Sequence, residues 1–449
     1  MPLKILLIEP YNKNFVRIFG KVYMAKLTLP YIASYIPEDI PVEFIDENTT
    51  PIDFNTDADC IFLTALSVSS IRAYEIADKF RQKGKKVVIG GVHASMLPEE
   101  AAAHADAVVI GECEPIIDQL ISDLRNNTLK PVYQSLEKAG LCQYKPARRE
   151  LVSNENYRFL YSIETGRGCP YNCDFCSTTS FFGAKQRYRS VEDVVNEIKQ
   201  HKMKSVFFTD DNITNNSKRA KELFKALIPL KIRWVGQGSI NTARDPELLD
   251  LMKKSGCFLL LVGFESLDPE NIGDNTGKQK VNRVDEYEKD IKAFHRHGIG
   301  LIGCFVQGFD NDTEQTFDRT YRFIQKNNID VVQVSILTPF PGTKLCEKMD
   351  NENRVIHKDW ERYDVAHVTY IPKKLTSTEL RLYYNKLSKK VYSWGNILKR
   401  GFKSFFYTRS FKRSFLVYPI VNLVYKKLAM MGRDENIWSY VRHNMIDKF

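Results

Sequence analysis

Eleven short, mostly apolar runs, each followed by a polar or amphipathic stretch, constrain what this chain can fold into. Five fall at 4–8 (KILLI), 42–45, 60–65, 87–90 and 107–111, and six more at 160–165, 205–209, 232–236, 258–263, 300–306 and 331–336. Continuous apolar character, rather than strict alternation, suits strands covered on both faces. The intervening segments carry helical spacing, as between Ser69 and Lys83, where Ile71, Tyr74, Ile76, Ala77 and Phe80 recur on one side. Buried parallel strands need helical crossovers of this kind, so the pattern predicts an α/β protein.

The first five strand-helix units predict a doubly wound, Rossmann-type domain over residues 1–130. Ligands of such sheets sit at the carboxyl ends of the strands, which points to the loops after Ile8, Ala65 and Gly90. Residues 131–158, with Pro131, Pro146 and scattered charges, read as a linker. The next six units, over 159–374, predict a partial (β/α)6 barrel with its chemistry at the C-terminal strand ends. Residues 375–449 read as a helical, basic and aromatic C-terminal region.

Charge separates that last region from the rest. From Lys373 onward there are 17 Lys and Arg against 4 Asp and Glu, a balance of +13, whereas the preceding residues hold 48 against 51. An appended basic segment on a near-neutral body suits an anionic surface. Its interleaved rings fit a lipid interface or stacked nucleobases, and equally a helical cap whose apolar stripe packs on the barrel. Nucleic acid is the least favoured of the three. The longest apolar stretch, 415–425, is too short to span a bilayer and contains Pro419 and Asn422, and the N-terminus reads as a buried strand rather than a signal peptide. A cytoplasmic protein is therefore expected, with the packed helical cap the leading reading of the tail and peripheral membrane contact the next.

Of nine cysteines, only Cys169, Cys173 and Cys176 cluster, in GRGCPYNCDFCS at 166–177. Three thiolates on one loop suit three irons of a [4Fe-4S] cube and leave the fourth iron without a protein ligand. Zinc normally takes four protein ligands, or three and a water, and no further pair stands nearby in sequence.

The C-x3-C-x2-C spacing resembles the radical SAM superfamily, and motifs at successive strand ends extend the likeness from about Phe159 to Pro372. Phe175 stands where the family places an aromatic against the adenine. FFTDDN at 207–212, with Asp210 and Asp211, stands where polar groups meet the amino end of S-adenosyl-L-methionine (SAM). GQGSIN at 236–241, with Gln237 and Ser239, and LVGFES at 261–266, with Gly263 and Glu265, resemble the ribose-contacting and glycine-rich motifs; CFVQGFDND follows at 304–312. The resemblance implies that SAM chelates the open iron and is cleaved to a 5′-deoxyadenosyl radical. An electron donor such as flavodoxin or ferredoxin is implied as a partner. A strand-end carboxylate also has a plain structural use in capping the next helix, which leaves Asp210 and Glu265 open to either role.

Residues 1–130 resemble the flavodoxin-like cobalamin-binding domain that precedes the barrel in one branch of that superfamily. Thr64 two residues before Leu66, then Gly90-Gly91, match its tail-binding loops, and GGVHASMLPEE and IGECE add to the likeness. The loop after the first strand, EPYNKNFVRIFGK at 9–21, lacks the cobalt-ligating histidine of the Asp-x-His-x-x-Gly form. The lower cobalt ligand is thus unassigned, with His93 a weak candidate. The resemblance implies methyl transfer from cobalamin to an unactivated carbon of a small or lipid-like substrate. Cyclisation, oxidation or C–C bond formation with the same cofactors is the alternative, and a cobalamin or redox sensor the non-enzymatic one. The methylthiotransferase branch would need three N-terminal-domain cysteines, and only Cys60 and Cys113 are present there, with Cys142 in the linker.

Overall fold

The computed structural model describes residues 3–12, 17–18, 21–152, 155, 157–159, 161–277 and 280–431. Part of the loop 9–21, Leu160 of the run 160–165 and the end of the basic region, 432–449, lie outside these. The chain divides into two compact units: Met1–Pro170 with Cys176–Thr209 and Phe340–Thr343, and Tyr171–Phe175 with Asp210–Pro339 and Lys344–Phe449.

In the first unit, β1 (Ile5–Glu9), β2 (Val42–Asp46), β3 (Cys60–Thr64), β4 (Lys86–Gly90), β5 (Ala107–Ile110) and β6 (Val132–Gln134) form a parallel sheet in the order β2-β1-β3-β4-β5-β6. The 2-1-3-4-5 order is the flavodoxin-like one. Alternate residues of each strand point to opposite faces. Leu6, Ile8, Ile61 and Leu63 pack with Ala73, Tyr74, Ile76, Ala77 and Phe80 of α1 (Ser67–Gln82), while Ile5, Leu7, Phe62 and Val88 pack with Ile117, Leu120 and Ile121 of α2 (Ile117–Arg125). Both faces are covered, which is why the strands read as continuous apolar runs. Each fully buried Leu, Ile or Val there stabilises by about 1.5–3 kcal/mol.

Two expectations shift. The stretch 131–158 was expected as a linker, yet it supplies β6, whose Val108↔Val132 pairing extends the sheet. Only Tyr133 of this three-residue strand is buried, so no apolar run marked it. Ile71, expected on the packed side of α1, is exposed instead, because Ala73 and Ala77 let the helix approach the sheet on a neighbouring face.

The first unit also contains the parallel pair β7 (Ser162–Ile163) and β8 (Ser205–Phe208), joined through α3 (Val191–Gln200). Ser190 caps α3 by accepting from the Asp193 N–H. In the second unit β9 (Arg233–Gly238), β10 (Cys257–Glu265), β11 (Gly300–Gln307) and β12 (Val331–Ile336) are parallel and pair in sequence order. Helices α4 (Ser217–Leu227), α5 (Pro246–Ser255), α6 (Tyr287–Arg296) and α7 (Glu314–Lys326) alternate with them. Counted along the chain, this gives the six strand-helix repeats expected of the partial barrel.

The C-terminal region forms α8 (Ser377–Val391), α9 (Trp394–Thr408) and α10 (Tyr418–Ala429). The Tyr384 and Tyr392 hydroxyls donate to the Val334 and Val332 carbonyls at 3.1 and 2.9 Å, and Asn422 Nδ2 donates to the Asp330 carbonyl at 2.9 Å. These side chains satisfy backbone groups of β12 and its approach, which would otherwise form an open sheet edge. No helix among the described residues is long and apolar enough to cross a membrane.

Candidate active site

The cysteine loop leaves a two-residue strand, Gly166–Arg167, that pairs antiparallel with Arg187–Tyr188. Gly168 then takes φ +88, and a Cβ on it would stand 2.6 Å from the Lys185 carbonyl oxygen, so only glycine turns the chain there into Cys169. Cys169 and Cys176 are partly exposed and Cys173 is buried. Burial raises the thiol pKa of Cys60, Cys113 and Cys257, and that of Cys346 to about 11, which keeps those sulfurs protonated and poor as ligands. Among the described residues, no three His, Cys, Asp or Glu side chains converge as they would around a single metal ion. An iron-sulfur cube, which gives each thiolate its own iron, spreads its ligands more widely, and the three-thiol loop fits it.

In the second unit the loop segment 171–175 is fixed by two backbone hydrogen bonds, Asp174 N to the Asn275 carbonyl at 3.0 Å and Leu345 N to the Asp174 carbonyl at 2.9 Å. Phe175 meets Phe309 edge-on with ring centroids 6.0 Å apart. The expected aromatic therefore stands at the carboxyl end of β11. The sequence reading missed what holds Phe309. Asp312 Oδ2 accepts from the Gly308 and Phe309 N–H groups at 2.7 and 3.1 Å, and its Oδ1 accepts from Asn271 Nδ2 at 2.8 Å. Burial outweighs these hydrogen bonds and raises the Asp312 pKa to about 6. The Gly-Phe-Asp-Asn-Asp run was the available signal, since Asp and Asn commonly bond the backbone of a turn.

The remaining expected SAM contacts stand at neighbouring strand ends of the same unit. Asn212, next to Asp210 and Asp211, donates to Ser239 Oγ at 2.6 Å, and Ile213 N donates to the Gln237 carbonyl at 3.0 Å. The loop after β8 and the end of β9 are thereby joined. Asn282 Nδ2 donates to the Gly263 carbonyl at 3.0 Å. Glu265, 7% exposed, ends β10 at φ +61, where the register to β11 shifts. A left-handed glutamate costs about 1–3 kcal/mol and such positions cluster at functional sites. Asp210 is buried and Asp211 only partly so.

A second feature belongs to the first unit: a cleft of about 380 Å3 at the carboxyl ends of β3, β4 and β5. Thr64, Gly90 and Gly91 line it, with Leu29, Val88, Val109, Phe181 and Phe182 supplying apolar walls and Glu112, Glu114 and Arg167 a polar end. Leu66, the other expected cobalamin contact, lies outside it and is exposed at the head of α1. The fold itself requires glycine at position 91. At φ +97 its Cβ would fall 2.7 Å from Thr64 Oγ1 and 2.8 Å from the Ala65 N, so it lets the two strand-end loops close on each other.

Arg167, which the sequence reading did not single out, ties the cleft to the strand entering the cysteine loop. Its guanidinium lies 3.0 Å from Glu112 Oε1 and 3.0 Å from Glu164 Oε2 and also pairs with Glu114, while Arg187 takes the other Glu112 oxygen at 2.8 Å. Burial alone would raise the Glu112 pKa, but the Arg187 hydrogen bond and the Arg167 charge hold it below the usual carboxylate range. His93 is occupied elsewhere: its ring nitrogens stand 3.1 Å from Ser67 Oγ and 3.1 Å from Glu100 Oε1, and it does not line the cleft. Burial lowers its pKa and favours the neutral ring.

Residues 163–324 match the model of the radical SAM superfamily. Over 411 residues the chain is 35% identical to bacteriochlorophyllide d C-12(1)-methyltransferase of Chlorobaculum tepidum, covering 88% of this chain and 89% of that protein. This chain belongs to the radical SAM superfamily. Membership makes it an enzyme that uses a [4Fe-4S] cluster and SAM, which removes the sensor reading. The radical SAM enzyme is also 26% identical to the hopanoid C-2 methylase of Rhodopseudomonas palustris, over 75% of this chain and 66% of that one. Its fold is shared with the radical SAM methyltransferase TsrM from Kitasatospora setae, solved with cobalamin and a [4Fe-4S] cluster bound (TM-score 0.64, 18% identity, 78% of this chain and 75% of that one). It is shared equally with the cobalamin-dependent radical enzyme OxsB, solved with aqua-cobalamin (TM-score 0.65, 14% identity, 99% and 75%).

Proposed function

We propose that this enzyme is a cobalamin-dependent radical SAM methyltransferase that methylates an unactivated carbon of an extended, largely apolar polycyclic substrate. The observation that carries the reading is the cleft at the ends of β3, β4 and β5, lined by Thr64, Gly90 and Gly91, in the same chain as a three-cysteine loop. When bound, the cluster and SAM supply a hydrogen-abstracting 5′-deoxyadenosyl radical and cobalamin supplies the methyl group.

The chain's own residues hold and shield. Cys169, Cys173 and Cys176 ligate the cluster. Phe175, steadied by Phe309 and Asp312, would pack against the adenine; Asp210 and Asp211 would take the amino end of SAM; Gln237, Ser239, Gly263 and Glu265 would hold the rest of it. Thr64 hydrogen-bonds the cobalamin tail, and Leu29, Val88 and Val109 exclude water around it. An electron donor of flavodoxin or ferredoxin type would supply the reducing electron to the cluster.

The relatives support this substrate class, since their names point to bacteriochlorophyllide d and to a hopanoid, both built on fused or linked rings. The higher identity, 35% against 26%, favours a chlorin-type tetrapyrrole over a hopanoid. Anaerobically purified protein reconstituted with iron, sulfide and hydroxocobalamin is expected to retain about one cobalamin and four irons per chain. Iron retention with no cobalamin would reject methyl transfer and keep only SAM cleavage.

A further inference from the structure

The C-terminal helices present two unlike sides. One is spent on β12, as Tyr384, Tyr392 and Asn422 show. On the other, Trp394, Leu398, Phe402, Phe405 and Phe406 of α9 recur at helical spacing and are 37–58% exposed, followed by Phe411 at 66% and Leu416 at 51%. Half of the fourteen exposed large hydrophobic residues among the described ones fall between 394 and 416. Ring contacts join Phe402, Phe405, Phe406, Phe411 and Phe415 into one cluster. Contiguous exposed apolar surface of this kind marks an interaction site.

Its charge says what it fits. No Asp or Glu occurs between Leu380 and Met431. Lys399, Lys403, Arg409, Lys412 and Lys427 are exposed, and among the described residues none has an ion-pair partner. The Lys426 ammonium lies 6.0 Å from the Trp394 ring. Protein interfaces enrich aromatics but deplete Lys, whereas a helix lying in a bilayer interface combines Trp, Phe and Leu on one side with Lys and Arg among anionic head groups.

We propose that the aromatic face of α9, with Phe411 and Leu416, docks this enzyme on the surface of an anionic membrane without crossing it. The contact goes beyond the reaction proposed above and does not depend on it. The rings enter the interface, and the five exposed cations pair with lipid phosphates. An acidic redox protein would answer the cations and leave the rings uncovered; a second copy of the chain would cover the rings and bring like charges together.

The test is co-sedimentation of the full-length protein with phosphatidylcholine vesicles, with and without phosphatidylglycerol, alongside its mass in solution. Wild type is expected to partition onto the anionic vesicles, and Phe402→Ser with Phe406→Ser to weaken that partitioning by about tenfold or more. Lys399→Gln with Lys403→Gln and Lys412→Gln is expected to remove most of the salt-sensitive part and leave weaker, largely salt-resistant binding. Both variants change exposed side chains and are expected to keep wild-type iron content and circular dichroism. Brominated acyl chains should quench wild-type tryptophan fluorescence, and Trp394→Phe should lose that quenching. Wild type remaining in the supernatant, variants that bind equally well, or a dimer that dissociates on the Phe402→Ser and Phe406→Ser change would overturn the proposal.

Discussion

A Cβ on Gly91 would stand 2.7 Å from Thr64 Oγ1, so the ends of β4 and β3 meet through a glycine that no other residue replaces without displacing a loop. The two residues line the same cleft yet separate two effects. Gly91→Ala adds this clash to a left-handed φ that costs an L residue about 1–2 kcal/mol, and should lower the melting temperature by several degrees. Thr64→Val keeps the shape and removes the hydroxyl. It should leave the melting temperature within a degree or two and weaken cobalamin retention by about tenfold, the value of one hydrogen bond. Retention unchanged in Thr64→Val would remove the threonine from the cobalamin site.

Cys169, Cys173 and Cys176 should act as a unit. Replacing all three by Ala should abolish both the anaerobic iron-sulfur absorption and SAM cleavage, because each iron without its thiolate is lost. Cys60→Ala, Cys257→Ala and Cys346→Ala should keep both, since those thiols are held protonated by burial. Absorption and elemental analysis of the reconstituted proteins decide it.

Asp312 gives a pH signature. Its carboxyl is raised from 3.8 to about 6 by burial, so between those values the folded chain holds a proton that the unfolded chain has lost. Stability from this group is greatest below about pH 4 and falls as pH rises through 6, by about 3 kcal/mol in all. Asp312→Asn cannot titrate, and the Asn271 Oδ1, which has no hydrogen-bond partner among the described residues, can turn to meet the new amide. Wild type should therefore lose stability relative to Asp312→Asn across that window in denaturant titrations. A constant difference would show that the carboxyl does not titrate there.

The tyrosines over β12 should matter to stability and not to chemistry. Tyr392→Phe and Tyr384→Phe each remove a hydroxyl that serves a strand carbonyl, at about 1 kcal/mol apiece. Thermal melts should fall by a few degrees, with SAM cleavage unchanged at temperatures well below the transition.

How far the sequence reveals these arrangements depends on whether a residue's job is local. The runs at 4–8, 60–65 and 300–306 were legible because strands covered on both faces must be apolar throughout. β6 was not, since Val132, Tyr133 and Gln134 bury one ring and pair with β5 through the backbone alone. The cysteine loop was legible because its ligands are close in sequence. Arg167 and Asp312 were not, because their partners, Glu112 and Asn271, stand 55 and 41 residues away. The helical basic tail showed in its composition, yet no periodicity reveals that Tyr392 would find the Val332 carbonyl 60 residues earlier.

The central claim is tested most directly by giving the reconstituted enzyme SAM carrying a trideuterated methyl group, a low-potential reductant and a chlorin substrate such as bacteriochlorophyllide d, then analysing the products by mass spectrometry. The expected result is a substrate carrying the trideuterated methyl group, accompanied by both S-adenosylhomocysteine and 5′-deoxyadenosine, and none of these from protein lacking cobalamin except 5′-deoxyadenosine. A chlorin that loses hydrogen and gains no label while 5′-deoxyadenosine accumulates in the cobalamin-loaded enzyme would contradict methyl transfer.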